Sequence, residues 1–342
     1  MDNSGIVPSA PSRLGIVSVA QILTEVGRCY GKDQTHIDVA TRPLDQSERK
    51  MLLGELTKSK YTIKEIPAFI NSCINVVVLT TASDSEQGNL LTINCLEPGT
   101  GMGVGVSLTT LQHIMRRVTC TLRLCKEQKP MTFWVVPCDA IKEFPQQGKM
   151  VNALHVNSAF TYANGNTVFV YRKEELPKVI LHETLHHICG IDSYLIWKQE
   201  HLERMFTIFN IHRETILRPN EAIVEAWAEL FQMAFVATHY NMDFATLYEK
   251  ELQWSLVQAK RILAKQGKRT WREETHAYSY YVIKSLFLFS PNAFLAASDK
   301  GDMTNIVDLA KKIFTSKAYG RAIHDTVLFR HRSFRMTLYG DL

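Results

Sequence analysis

Residues Val179 to Gly190 read VILHETLHHICG, three histidines and a glutamate in a stretch otherwise apolar enough for the buried face of a helix. Residues four apart on a helix sit one above the other, so His182 and His186 project from the same face. Two imidazoles so placed can close on one metal ion, and Glu183 directly follows the first of them. His187 points about 100° away from His186 and cannot share that face. It reads as structural, Cys189 as a small buried hydrophobe, and Asp192 as a turn residue after Gly190, the expected helix end.

The spacing is H-E-x-x-H, in which two histidines bind zinc and the glutamate is the general base. Accident alone would produce it in about one chain per hundred of this length, so the surroundings must carry the assignment. The motif helix follows TVFVYR, residues 167–172, which alternates as a strand should. A catalytic zinc takes three protein ligands and leaves one position open. Downstream, RPNEAIVEAWAELF (218–231) supplies Glu221, Glu225 and Glu229, four apart on one predicted helix. Three aligned carboxylates repel one another unless they are solvated, neutralised or relieved by a metal.

Helix geometry ranks the three. At about 100° per residue, Ile223, Val224, Trp227, Leu230, Phe231, Ala234 and Phe235 define an apolar stripe; Glu221 lies nearest its edge, Glu225 farther round and Glu229 almost opposite. Glu221 is the expected third ligand, Glu225 the alternative, and Glu229 is expected at the surface. With Glu221 on the metal, Glu225 can accept a hydrogen bond from the outer ring nitrogen of a ligand histidine and fix its tautomer.

HETLH, followed 34 residues after His186 by NEAIVE, resembles the gluzincin pattern H-E-x-x-H then N-E-x-x-x-[DE], and NEAI is similar to the segment in thermolysin-like peptidases. The resemblance implies a zincin-like fold, Zn2+ held by His182, His186 and Glu221, Glu183 as general base, and Glu225 where the family usually carries aspartate. HVNSAFTY through VFVYRKEELPKVILHETLHH also resembles zincin-like proteins encoded by large DNA viruses, which implies host cytoplasm or virion as the setting. The resemblance spans Val151 to Phe235.

At 342 residues with 46% hydrophobic content, the chain can bury a sizeable core. The expected class is α+β: a flexible arm over 1–15, an α/β portion over 16–145, and a mainly helical, zincin-like catalytic portion over 146–342 with the motif helix at the junction. Periodicity predicts early helices at SVAQILTEVGRCY, QSERKMLLGEL and LTTLQHIMRRVTCTLRL, with strands at INVVVLTT, LLTINCLE and TFWVVPC. Later helices are predicted at SYLIWKQEHLERMFTIF, NEAIVEAWAELFQMAFVA, DFATLYEKELQWSLVQAKRILAKQ, HAYSYYVIKSLFLF and MTNIVDLAKKIF. EPGTGMGVGVS has neither G-x-G-x-x-G nor a G-K-[ST] ending and reads as a turn and strand.

No run of about eighteen apolar residues exists, so no membrane span is expected, and the start lacks a secretion signal. The seven cysteines are scattered and without C-x-x-C spacing, which argues against a disulfide framework and a thiolate zinc site and for a reducing, cytoplasmic compartment. The net charge of +5 is modest. The basic run RAIHDTVLFRHRSFRM reads as solvated surface, with no zinc-finger, RRM-like or helix-turn-helix signature to make nucleic acid a partner.

A transition-state donor is sought in THAYSYY, which offers His276, Tyr278, Tyr280 and Tyr281 with Tyr280 and His276 leading, although a helix with this many tyrosines more often serves core packing with hydroxyls at the rim. Arg332 and Arg335 can hold a substrate carboxylate but are expected as surface residues. The expected function is a zinc metallopeptidase acting on a peptide or protein, with the strand NTVFVYR pairing with extended substrate. The alternative is an inactive zincin-like binding or structural module. The intact Glu183 speaks against that, because structural zinc needs no base.

Overall fold

The computed structural model describes residues 14–31, 35–58, 63–82, 89–99, 105–125, 130–162, 165–187, 191, 195–328 and 333–342. Most of the expected arm, part of EPGTGMGVGVS, Cys189, Gly190, Asp192, Arg332 and the His187 side chain lie outside the described residues. The β-rich runs form one sheet: β1 (Ile37–Pro43), β2 (Cys73–Ala82), β3 (Asn89–Pro98), β4 (Met131–Val135), β5 (Ala159–Thr161) and β6 (Thr167–Val170). Their order is β1-β2-β3-β4-β6-β5. The first three are antiparallel neighbours, β3, β4 and β6 run parallel, and β5 returns antiparallel along β6. The protein is therefore α+β, and its sheet takes strands from both sides of residue 145.

Side-chain alternation explains the layers. Phe133, Val135, Val168 and Val170 face a core completed by Ile114 and Met115 of α4 (Leu108–Cys125) and Ile180 of α6 (Leu176–His187). Trp134, Val136, Phe169 and Tyr171 face the opposite core, with Leu52 and Leu56 of α2 (Gln46–Lys58) and Ile66 and Ile70 of α3 (Ile66–Ser72). With both faces covered, the VFVY of β6 is apolar at every position. β1, α3, β5 and the short α5 (Ala153–Val156) were not anticipated; each is too brief or too polar to show a period of its own.

The remaining elements are α1 (Val19–Tyr30), α7 (Gln199–Phe209), α8 (Pro219–Tyr240), α9 (Phe244–Gln266), a π-helical turn at Tyr278–Ile283 running into α10 (Lys284–Phe289), α11 (Pro291–Asp299), α12 (Met303–Phe314) and α13 (Lys317–Asp325). Pro219 opens α8, where its missing N–H costs nothing, and Asn241 ends it in the left-handed region at φ 50. From Ala222 to Ala237 every residue of α8 is buried, because α1, α6, α9, α10 and the π-helical turn close around it. Glu229 is thus not a surface residue. The stripe argument assumed one face open to water, and this helix has none.

One further expectation fails. Cys125, at the end of α4, is disulfide-bonded, while Cys29, Cys73, Cys95, Cys120 and Cys138 form no disulfide. Spacing along a chain does not bound distance in space. Among the described residues no helix is long and apolar enough to cross a membrane.

The entry to α6 is held from several sides. Glu175, with φ 62, occupies a conformation that costs a non-glycine residue roughly 1–2 kcal/mol. Lys142 Nζ donates to its carboxylate at 2.6 Å, as does Thr337 N, and its own N–H donates to Asp341 at 2.6 Å. Gly340 passes so close that a Cβ there would lie 2.9 Å from Glu175 Cβ.

The π-helical turn is capped by Glu273, whose two oxygens accept the Tyr278 N–H at 3.1 and 3.3 Å. Burial pushes this carboxyl up to about 8. Unfolded, it ionises near the ordinary 4.5, so between those values the folded chain binds more protons and stability falls as pH rises. The slope is at most about 1.4 kcal/mol per pH unit. Glu273→Gln removes that dependence: melting curves at pH 5 and pH 8 are expected to show the variant gaining on the wild type at the higher pH, and an equal gap at both would contradict it.

Candidate metal centre

The motif helix α6 starts directly after β6 and packs between the sheet and α8, with Leu181 and Leu185 in the main core. That anchoring turns His182 and His186 toward the first turn of α8. Their Nε2 atoms lie 3.0 Å apart, and Glu221 Oε2 lies 3.2 Å from that of His186 and 3.5 Å from that of His182. The three ligand atoms fall within 4.8 Å of one another, a group that could hold one metal ion. Two imidazoles and one carboxylate, all offered from helices, match the donor set of a three-ligand catalytic site.

Glu225 lies one turn further along α8, fully buried, and its Oε2 is 2.8 Å from His182 Nδ1, at an angle short of a straight hydrogen bond. Its other oxygen pairs with the ammonium of Lys178. The contact with His182 Nδ1 leaves Nε2 facing the ligand cluster, as an outer carboxylate does for a metal-binding histidine. Burial works against the charge on Glu225, but Lys178 and then His182 hold its carboxyl well below the ordinary range. Burial likewise opposes ionisation of Glu221, which His186 and His182 keep low. For His182, burial and His186 disfavour a proton, yet Glu221 and Glu225 outweigh them and raise its pKa.

Lys178 was missed in the sequence although its position was legible: it precedes His182 by four residues, so helix geometry aligns Lys178, His182 and His186. Its ammonium is 1% exposed and also lies 3.6 Å from Met336 Sδ. Lys284 repeats the device at Glu229, donating to its Oε2 at 2.6 Å and to the Met336 carbonyl at 2.7 Å, while Ser255 Oγ donates to Glu229 Oε1 at 3.2 Å. Burial pulls the Lys284 pKa down, but Glu229 and Glu225 raise it above the ordinary value.

Of the candidate donors, Tyr280 sits in the π-helical turn, a geometry frequent at functional sites, and its hydroxyl donates to Glu221 Oε2 at 2.7 Å. Burial, then the Glu221 charge, pushes its pKa well above the ordinary value, so it stays a donor. His276 stands at the rim, its Nδ1 3.1 Å from the Ile216 carbonyl oxygen and its ring centred 6.5 Å from that of Tyr280. Tyr278 and Tyr281 are packed in the core. Arg335 donates from Nε to the Thr337 carbonyl at 2.7 Å and pairs with Asp341 at 2.7 Å.

Glu183, half-buried, lines a cavity of about 40 Å³ together with His182, Tyr280, Asn157, Ser158 and Ala159. The last of these opens β5, the outer strand of the sheet. β6 itself lies between β4 and β5, so the expectation that NTVFVYR receives an added strand is corrected: its hydrogen-bonding edges are both taken. Tyr171 N donates to the Ser158 carbonyl at 2.9 Å, and the alternation of an antiparallel ladder then turns the main-chain groups of Ala159 and Thr161 outward.

No protein-family model matches this chain, and comparison with curated proteins and with solved structures found no match.

The three glutamates of α8 separate by experiment. Glu221→Gln is expected to abolish tight zinc binding in a chelator competition titration, and Glu225→Gln to weaken it about 10–100-fold. Glu229→Gln leaves affinity unchanged but lowers unfolding free energy on the order of 3 kcal/mol, because Lys284 loses its buried partner. Outright loss of metal in Glu225→Gln would move the ligand by one turn.

Proposed function

We propose that this chain is a zinc metallopeptidase of zincin-like fold, hydrolysing peptide bonds in a peptide or protein substrate. The observation that carries the reading is the convergence of His182, His186 and Glu221, with His182 and Glu183 lining a small cavity that Ala159 of the edge strand also lines. Borderline-soft imidazoles with one carboxylate suit zinc better than they suit the oxygen-seeking magnesium or calcium. When bound, the ion would supply a Lewis acid that activates water and polarises the scissile carbonyl.

The chain's own residues divide the remaining work. Ala159 and Thr161 pair with the main chain of an extended peptide, which gives binding tolerant of sequence. Glu183 takes the proton of the attacking water and passes it to the leaving amine. Tyr280, kept protonated by burial, donates to the oxygen that gains charge at the transition state. Glu225 and Lys178 hold the His182 ring so that its Nε2 faces the ion.

Glu183→Gln tests the reading most directly. The variant is expected to retain zinc and thermal stability and to lose hydrolysis of a broad peptide library by about a hundredfold or more. A wild-type protein that holds zinc and cleaves nothing in that library would favour the inactive binding module. Tyr280→Phe is expected to lower kcat by about a hundredfold with little change in KM, since its hydroxyl acts on charge that develops only in the transition state. A change confined to KM would remove Tyr280 from that role.

A further inference from the structure

At the far end of α8 from Glu221, three side chains able to ligate a metal meet where three helices come together. Tyr30 is the last residue of α1, His113 lies in the second turn of α4 and His239 in the last turn of α8, and α1 packs against both of the other helices. An edge-on contact with Phe235, ring centres 5.2 Å apart, seats the phenol. Its oxygen lies 3.5 Å from His113 Nδ1 and 3.4 Å from His239 Nδ1, and the two imidazole rings are centred 4.1 Å apart. Both imidazoles are half-buried, so one side of the cluster is open to water.

The two separations lie beyond the usual range of a hydrogen bond, and the single phenol proton can serve only one of the two nitrogens. Ligand atoms at about 2.0–2.1 Å from one transition-metal ion stand roughly 2.9–3.4 Å from each other. The cluster at His182 shows the same spacing, 3.0, 3.2 and 3.5 Å between its ligand atoms. The spacing at Tyr30 therefore fits the ligands of a metal better than a hydrogen-bonded triad.

The surroundings narrow the choice of ion. Burial, then His239 and the Arg117 and Arg116 guanidiniums, push His113 to about 4, and burial with the same guanidiniums lowers His239, which leaves both rings neutral with a lone pair to offer. Burial raises Tyr30, but Arg117 beside it favours the phenolate. Arg116 is exposed and screened by solvent, while Arg117 donates to Gln232 and to the Leu342 carbonyl oxygen. Magnesium and calcium seek several oxygens, and this cluster offers one. Among divalent first-row ions, copper(II) binds such nitrogen-rich donors most tightly.

We propose that Tyr30, His113 and His239 form a second metal site, which takes copper(II) through two imidazoles and a phenolate. The phenol proton leaves to solvent as the ion binds, and water completes the coordination on the open side. Glu221 and His239 stand at opposite ends of α8, about 27 Å apart along its axis, so the two centres cannot share an ion. The proposal does not rest on the peptidase reading.

Titration of the full chain with copper(II), followed by visible absorption, tests it. A phenolate-to-copper charge-transfer band is expected to grow and to saturate at one ion per chain. Tyr30→Phe, which keeps the ring against Phe235, is expected to abolish that band. Glu221→Gln is expected to leave it intact, which excludes Tyr280 at the other centre as its source. His113→Gln and His239→Gln change half-buried residues, and each is expected to weaken the band-forming ion at least about a hundredfold, more than the loss of an outer partner costs. Circular dichroism checks that each variant folds, and the two histidine variants decide the matter if Tyr30→Phe does not. No band in the wild type, a band that survives in Tyr30→Phe, a band lost in Glu221→Gln, or unchanged affinity in both histidine variants would each overturn the proposal.

Discussion

A buried carboxylate is costly unless a positive group meets it, and α8 carries Glu225 and Glu229 inside its enclosed stretch with Glu221 at the edge of it. Glu221 meets His182 and His186, Glu225 meets Lys178, and Glu229 meets Lys284. The desolvation cost of a buried acid is several kcal/mol, so these pairings decide which way α6, α8 and the π-helical turn can pack together. A slip of one turn between α6 and α8 would set Lys178 against the wrong glutamate and leave another buried charge alone.

The same line of charges joins the metal centre to the segment at 333–342. Met336 lies between Lys178 and Lys284, touching one through sulfur and the other through its carbonyl oxygen. Thr337 and Asp341 hold Glu175, the residue whose strained backbone turns the chain into the motif helix. His182 and His186 are therefore oriented by contacts remote in sequence. Breaking one of these pairs leaves its partner charge buried and alone, which makes rearrangement between the elements expensive.

Two cavities border α5, one lined by Asn152, Ala153 and Leu154 and the other by Val156 and the residues after it. The small one has Lys142, Lys178, His182, Glu183, Glu225 and Tyr280 in its wall. The large one is lined by apolar side chains, among them Ile63, Ile141 and Leu154, together with the exposed Lys64, Glu65 and Glu274. Leu154 of α5 and Arg172, two residues after β6, border the larger one.

What the sequence by itself determined was local in origin. The spacing of His182 and His186 puts both rings on one face, and the position of Glu221 at the edge of an apolar stripe marks it as their partner, because a helix fixes the relation of residues three and four apart whatever surrounds it. Short runs of β-branched and aromatic residues in TFWVVPC and VFVYR likewise marked two strands, and the period of MTNIVDLAKKIF marked α12. The tertiary structure alone decided that Glu229 is buried, since a helical wheel ranks faces but cannot say whether the polar one meets water or another helix. It alone decided that β5 and not β6 forms the edge, a matter of strand order that no single strand encodes. Lys178 stood on the legible face of the motif helix, yet its role depends on Glu225, 47 residues away, and only packing brings the two charges together.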